Sequence, residues 1–315
     1  MRRSSFEQME KRELWMRKTI VVWLGAVFCC LLWGSAFPCI KIGYGLFQID
    51  ASDTASQILF AGWRFTLAGI LAVIFGSIPA KQILYPSKDA VSKVLCLSLF
   101  QTVLQYIFFY VGLAHTSGVK ASIIGAVNVF AAILVASLIF RQDKLTAGKI
   151  FGCAVGFAGV VLINLSGVNM QFHMNGEGFI LLSAVAYAFS SVFLKKFSAK
   201  YNPVMLSGYQ FIFGGIIMTF IGSLMGGSVT QITASGILLL IYLAFVSAAA
   251  YSAWGLLLKY NPVSKVAVFG FMTPVFGVIL SALFLHEGQQ AGGMLSVISL
   301  ALVCVGIYIV NRKMF

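Results

Sequence analysis

The sequence predicts an all-α integral membrane protein: ten transmembrane helices in two inverted five-helix repeats, with both termini cytoplasmic. Three observations predict it. Of 315 residues, 60% are hydrophobic and only 10% charged, where soluble domains carry about 25% charge. Segments of the first half recur about 146 residues later. Of the 22 Lys and Arg, 19 fall in the termini and alternate loops. Such a composition excludes a cytosolic enzyme. The net charge of +13 would point to nucleic acid in a soluble chain, but in a membrane protein it has first to be read by position.

A membrane helix needs about 20 consecutive, mostly apolar residues. The basic tail, residues 1–18, precedes a charge-free run over 19–40 that is too long for a cleaved signal core, so a retained first helix is expected over 19–41. The second, 56–78, carries Arg64 near its start. Charge-free runs over 94–119, 121–140 and 150–176 give helices over 93–113, 118–140 and 145–166. The sixth, 177–197, ends on Lys195 and Lys196. The uncharged run from 201 to 258 is too long for one span and breaks in the Gly-, Ser- and Thr-rich stretch 222–236, giving 203–225 and 233–256. Runs over 266–286 and 288–311 give the last two, 262–284 and 290–311. Tyr-Asn-Pro-Val stands before the seventh and the ninth, with Asn as N-cap and Pro at the first helical position.

Cytoplasmic loops accumulate Lys and Arg. With both termini inside, 19 of the 22 cations fall on that side, and only Lys41, Arg64 and Lys120 are left over. A miscounted helix would scramble this sorting, so +13 reads as an orientation signal with no nucleic-acid partner implied.

Self-comparison divides the chain into a first repeat over 19–166 and a second over 177–311. At an offset of 146, residues 61–70 lie over 207–216 and Gly76-Ser77 over Gly222-Ser223. At 154, residues 33–41 lie over 187–195. At 144, Phe140 and Asp143 lie over Phe284 and Glu287, and at 147, residues 159–164 lie over 306–311. Five helices per repeat, an odd number, require the two to be inverted in the membrane. Gly152 and Gly156 have the spacing that lets helices approach closely. The Gly-rich faces of the fifth and tenth helices either pack the halves together or pair two protomers, and the oligomeric state stays open.

A first helix ending Trp33-Gly34-Ser35-Ala36-Phe37-Pro38-Cys39-Ile40-Lys41, an Arg near the start of the second, and an acid after the fourth and ninth, on this repeat frame, resemble the EamA family of the drug/metabolite transporter superfamily. The resemblance covers residues 19–311 and implies a bacterial inner-membrane exporter of amino acids and other small metabolites, with a central cavity between the halves. One departure stands out: members commonly carry a proline midway along the fourth helix as well as the ninth, and here Phe130 occupies the place paired with Pro274.

An Arg or Lys at a bilayer centre costs about 2.5–3.5 kcal/mol on insertion scales and so tends to face a cavity. Arg64 and Lys41 are the candidates, with snorkelling to the interface as the alternative for Lys41. Trp33, Phe37, Tyr106, Tyr110, Tyr187, Tyr209, Tyr251 and Trp254 lie inside the spans, where aromatic residues with polar tips need partners. With Ser35, Asn128 and Gln210 they read as the wall of a substrate cavity suited to a small organic metabolite. Pro38 and Pro274 remove backbone bonds and are candidate hinges. All nine acids fall outside the span interiors, so carboxylate-based proton coupling within the bundle is not expected and exchange or facilitated flow is. The six cysteines show no metal-ligand spacing and read as small core residues. No metal or cofactor is implied, and no catalytic grouping points to an enzyme. A carrier of phosphorylated or nucleotide-linked sugars, using Arg64, Lys41 and Lys120, is the second transporter reading. A receptor or structural membrane protein is the reading from another class. Membrane lipids and a small-molecule substrate are the expected partners.

Overall fold

A computed structural model describes residues 14–141, 145–165, 172–261, 266 and 268–311. Most of the basic tail, Asp143, and the last two residues of the second Tyr-Asn-Pro-Val lie outside these. The described residues are helical, with no strand among them. The main helices are α1 Thr19–Leu46, α2 Thr54–Ala80, α3 Lys88–Ala114, α4 Gly118–Ile139, α5 Ala147–Leu165, α6 Met174–Ser198, α7 Pro203–Leu224, α8 Ala234–Tyr260, α9 Met272–Phe284 and α10 Met294–Asn311. Seven of them, α1 to α4 and α6 to α8, are long and apolar enough to cross a membrane, while α5, α9 and α10 contribute shorter apolar helices.

Local chemistry explains where the helices start. Asp53 accepts from Ser56 N at the head of α2, Ser117 from Lys120 N at α4, and Thr233 from Gly236 N at α8. Asn202 accepts from Val204 N and Met205 N, with Pro203 in the first turn of α7, as the motif predicts. Asn261 instead donates to Met16 O and Leu257 O, closing α8. The tenth helix starts later than expected because Gly293 is extended and separates it from a short turn at Gly288–Gly292.

Two helices are interrupted. α3 widens into a π-segment over Ser98–Leu104, where the Ser98 hydroxyl donates to Val94 O at 2.9 Å. α4 breaks at Ala126 and ends in a π-segment over Val135–Ile139. The fourth helix is thus irregular close to Phe130 without the missing proline.

Repeat counterparts pack on each other in opposite directions. Gly62 of α2 lies against Gly215 and Thr219 of α7, Gly69 against Gly208 and Ile212, and Gly222 against Ala55 and Leu59. Rising numbers on one helix meet falling numbers on the other, so the pair is antiparallel. Glycine is required there: a methyl group at Gly62 would stand 2.4 Å from Thr219 N, and one at Gly69 2.5 Å from Gly208 O. α5 and α10 do the same, with Gly159 on Ser299 O and Gly306 on Gly152 O. The Gly-rich faces therefore join the two halves within one chain. In a third antiparallel pair, α4 with α9, Gly118 meets Ser281 and Gly277 meets Ser122. α1 packs on α8 and α9, while its counterpart α6 packs on α3 and α4. The contacts that the first half makes with the second are thus made again with the roles of the halves exchanged.

Candidate substrate site

An aromatic cluster fills the middle of the bundle where α1, α2 and α3 of the first half meet α7 and α8 of the second. The Trp33 ring centroid is 5.4 Å from that of Tyr251 and 5.1 Å from that of Trp254. The hydroxyls of Tyr106 and Tyr251 share a hydrogen bond of 2.8 Å across the two halves. Phe65 lies 4.1 Å from Tyr106 and stacks on Phe211, which meets Tyr251 edge-on. Phe37 packs on Phe109. Offset and edge-to-face geometries of this kind are the favourable ones for aromatic pairs. Two buried polar atoms beside Tyr251 and Tyr106, Trp33 Nε1 and Gln105 Oε1, have no protein partner. A buried polar atom left unpaired costs about 1–3 kcal/mol, and both retain their full hydrogen-bonding capacity.

Arg64 is 2% exposed. Its Nε donates to Leu243 O at 3.1 Å, Nη1 to the Tyr110 hydroxyl at 2.7 Å, and Nη2 to Ser247 Oγ at 2.9 Å. The guanidinium lies 4.9 Å from the Phe65 ring centroid, and Tyr106 and Tyr251 are within electrostatic range. All three acceptors are neutral. Tyr110 is itself fixed, because the Tyr44 hydroxyl donates to its carbonyl at 2.9 Å.

The remaining predicted residues separate by place. Tyr187, on α6, lies within electrostatic range of Tyr106 and Tyr251. Ser35 donates to Leu32 O and shares a 2.7 Å bond with Tyr242. Gln210 is fully buried and donates to Gln101 Oε1 at 2.9 Å, while Thr102 Oγ1 donates to its Oε1 at 3.3 Å, so it ties α7 to the π-segment of α3. Tyr209 lies elsewhere, against the cluster of Ala90, Val94, Leu97, Leu194, Met205 and Leu206. Asn128 is half-buried on α4 and makes none of these hydrogen bonds.

Lys41 reaches the end of α3, donating to Thr116 O at 2.5 Å and Leu113 O at 3.4 Å. It satisfies carbonyls that a helix end leaves open. The loop it touches, His115 to Ser117, is also held by the second half. Glu287 accepts from Gly118 N at 3.2 Å and Val119 N at 3.0 Å, placing a carboxylate at the positive end of α4. Glu177 is 3% exposed, accepts from Thr116 Oγ1 at 2.9 Å and His173 N at 3.1 Å, and lies 3.8 Å from Lys120 Nζ. The sequence places Glu177 at the outer start of the sixth helix; there, in the first turn of α6, it is buried because the α3–α4 loop covers it. At the other end, Asp89 accepts from Lys200 Nζ at 2.8 Å and the Tyr201 hydroxyl at 2.7 Å, both exposed, and this carboxylate holds the Lys200 ammonium above the usual lysine value.

Pro38 is buried inside α1, whereas Pro274 is buried in the first turn of α9, as its third residue after a 3-10 turn at Val268–Phe271, where a helix has no backbone bond for proline to remove, so it is not the mid-helix kink the sequence suggests. Pro274 O accepts from Ser122 Oγ of α4 at 3.1 Å. All six cysteines are free, with Cys29 and Cys30 donating to Ala250 O and Phe269 O. No group of three or more His, Cys, Asp or Glu among the described residues is placed to hold a metal.

Comparison with known proteins bears on this arrangement. The model of the EamA-like transporter family matches twice, over residues 20–165 and 174–312. An uncharacterized transporter of Archaeoglobus fulgidus is 31% identical over 305 residues, covering 95% of this chain and 100% of the relative. A probable amino-acid metabolite efflux pump of Escherichia coli K12 is 28% identical over 298 residues, covering 90% and 92%. A solved crystal structure has the same fold at a TM-score of 0.66 and 16% identity, over 93% of this chain and 98% of the other.

Proposed function

Since the chain belongs to the EamA-like transporter family, and is thereby a membrane transporter, we propose that it exports small amino-acid-like metabolites across the inner membrane by alternating access. The halves are residues 19–166 and 177–311, each of five spans, inverted in the membrane with both termini cytoplasmic. The antiparallel packing of counterpart helices supports the inversion, and the sorting of 19 cations supports the orientation. The shorter α5, α9 and α10 complete the count of ten. The efflux pump named above supports the solute class.

One observation carries the reading: the Tyr106–Tyr251 bond at 2.8 Å joins the two halves inside an aromatic cluster that also holds unpaired polar atoms of Trp33 and Gln105. A site made by both halves is the one that their relative rocking opens first to one side and then to the other. Trp33, Phe37, Arg64, Tyr106, Tyr110, Tyr187, Tyr251 and Trp254 line or frame it. A phosphorylated-sugar site would need several converging cations, and Lys41 and Lys120 are engaged at the α3–α4 loop instead.

Counterflow of labelled amino acids into proteoliposomes tests the proposal. Uptake by the wild-type protein that falls about tenfold or more in Trp33→Ala and Tyr251→Phe is expected, by the usual cost of losing a buried anchor or hydrogen bond. Absence of counterflow with every amino acid tried would overturn it.

A further inference from the structure

Arg64 and Glu177 are the only buried charges among the described residues, and only Glu177 has an oppositely charged partner. A guanidinium has five N–H donors. Arg64 uses three, on Leu243 O, Tyr110 and Ser247, all of them neutral. Two N–H groups, one on each Nη, and a full positive charge remain without a counter-ion in a side chain 2% exposed. Leaving a buried charge uncompensated is costly, whereas a carboxylate is the group that fits two parallel guanidinium N–H bonds.

The second half shows what a residue needed only for packing looks like in this place. Gln210 stands where Arg64 recurs, and it makes the equivalent cross-helix bond with a neutral amide. The charge at Arg64 therefore exceeds what the helix contact asks for.

We propose that the missing counter-ion is the carboxylate of the transported solute, bound by Nη1 and Nη2 of Arg64 from the side of Tyr106 and Tyr251, so that the site selects carboxylate-bearing organic solutes and rejects cations despite its aromatic walls. This rests on the aromatic cluster being the solute site. Leu243 O and the Tyr110 and Ser247 hydroxyls fix the guanidinium 4.9 Å from the Phe65 ring of the cluster and leave one N–H on each Nη unused. An aromatic cage alone would attract ammonium groups; an unpaired Arg64 beside it opposes them.

The test uses the purified full chain, with leucine, threonine and phenylalanine and the carboxamide of each as probes, read by thermal stabilisation and by counterflow. The acids are expected to act at concentrations about ten- to a hundredfold lower than the amides, the range of a charge-assisted pair. Arg64→Gln, which installs the residue the second half already uses, is expected to erase that preference. Ser247→Asp puts a carboxylate of the protein beside Nη2; it is expected to abolish acid binding and to raise the melting temperature of the unliganded protein. Equal response to acid and amide in the wild type, or acid binding that survives Ser247→Asp, overturns the inference and leaves amino-acid transport standing. No response to any of the six probes overturns both.

Discussion

Arg64 donates to Ser247 and Gln210 donates to Gln101, each at 2.9 Å, and the two contacts are one contact made twice: positions 64 and 101 recur as 210 and 247. The scaffold is symmetric where the chemistry is not. A single scaffold that meets either end of the cluster with the same geometry can rock between two equivalent states, while one charge on one side fixes which solutes it takes.

The glycine seam between α2 and α7 leaves no room for side chains. Gly215→Ala would bring a methyl group against Thr66 N, and Gly62→Ala would meet Thr219 N. Each is expected to destabilise by about 1–3 kcal/mol, the usual cost of overpacking, seen as a lower melting temperature in detergent. Gly45, whose added carbon would meet nothing, serves as the control and should tolerate Ala.

Tyr106→Phe and Tyr251→Phe each remove one end of the same hydrogen bond. A double-mutant cycle on thermal stability is expected to give a coupling of about 1 kcal/mol. Additive effects would mean that the two hydroxyls do not depend on each other.

Glu287 belongs to the second half but caps α4 of the first. Glu287→Ala is expected to cost about 0.5–2 kcal/mol and, by freeing the α3–α4 loop, to speed cleavage of that loop by protease added from its own side. Glu287→Asp, a methylene shorter, should behave as an intermediate.

Pro274→Ala trims two ring carbons and keeps the carbonyl that Ser122 uses. If α9 bends there during transport, the variant folds normally and counterflow slows, with solute affinity unchanged. Equal rates in the two proteins would make Pro274 a matter of packing.

The exposed Asp89–Lys200 pair should matter little, since surface pairs contribute about 0–1 kcal/mol. Because the ammonium's folded value is raised, whatever the pair contributes is present at neutral pH and lost as pH rises through that value. Lys200→Met is therefore expected to leave the melting temperature nearly unchanged at neutral pH and to remove any dependence on salt.

The seven membrane-length helices are legible in the sequence because apolar length is a one-dimensional signal, while the glycines at 62, 69, 208 and 215 mark the repeat by their common offset and show the α2–α7 seam only once the chain is folded. Arg64 could be singled out for the same reason, as a charge in an apolar run. Its acceptors could not, since Leu243 and Ser247 come from far along the chain. Tyr209 looked equivalent to Tyr251, but on a helix adjacent residues point about 100° apart, and Gln210 holds the inward position. Glu177 reads as the outer start of the sixth helix and Glu287 as the acid after the ninth, because nothing in their own segments shows which partner they will reach. Thr116 carried no signal at all.

The π-segment at Ser98–Leu104 works as a phase shifter. It takes up one residue more than ordinary winding would over the same rotation, between the Gln101 end of α3, which answers to α7, and the Tyr106–Tyr110 end, which answers to Arg64 and Tyr251. Deleting a single residue there would let the helix close to ordinary winding with both tyrosines still facing the cluster, whereas tightening the segment at its full length would swing them about 100° away and disconnect Arg64 from α3 without touching any residue that contacts it.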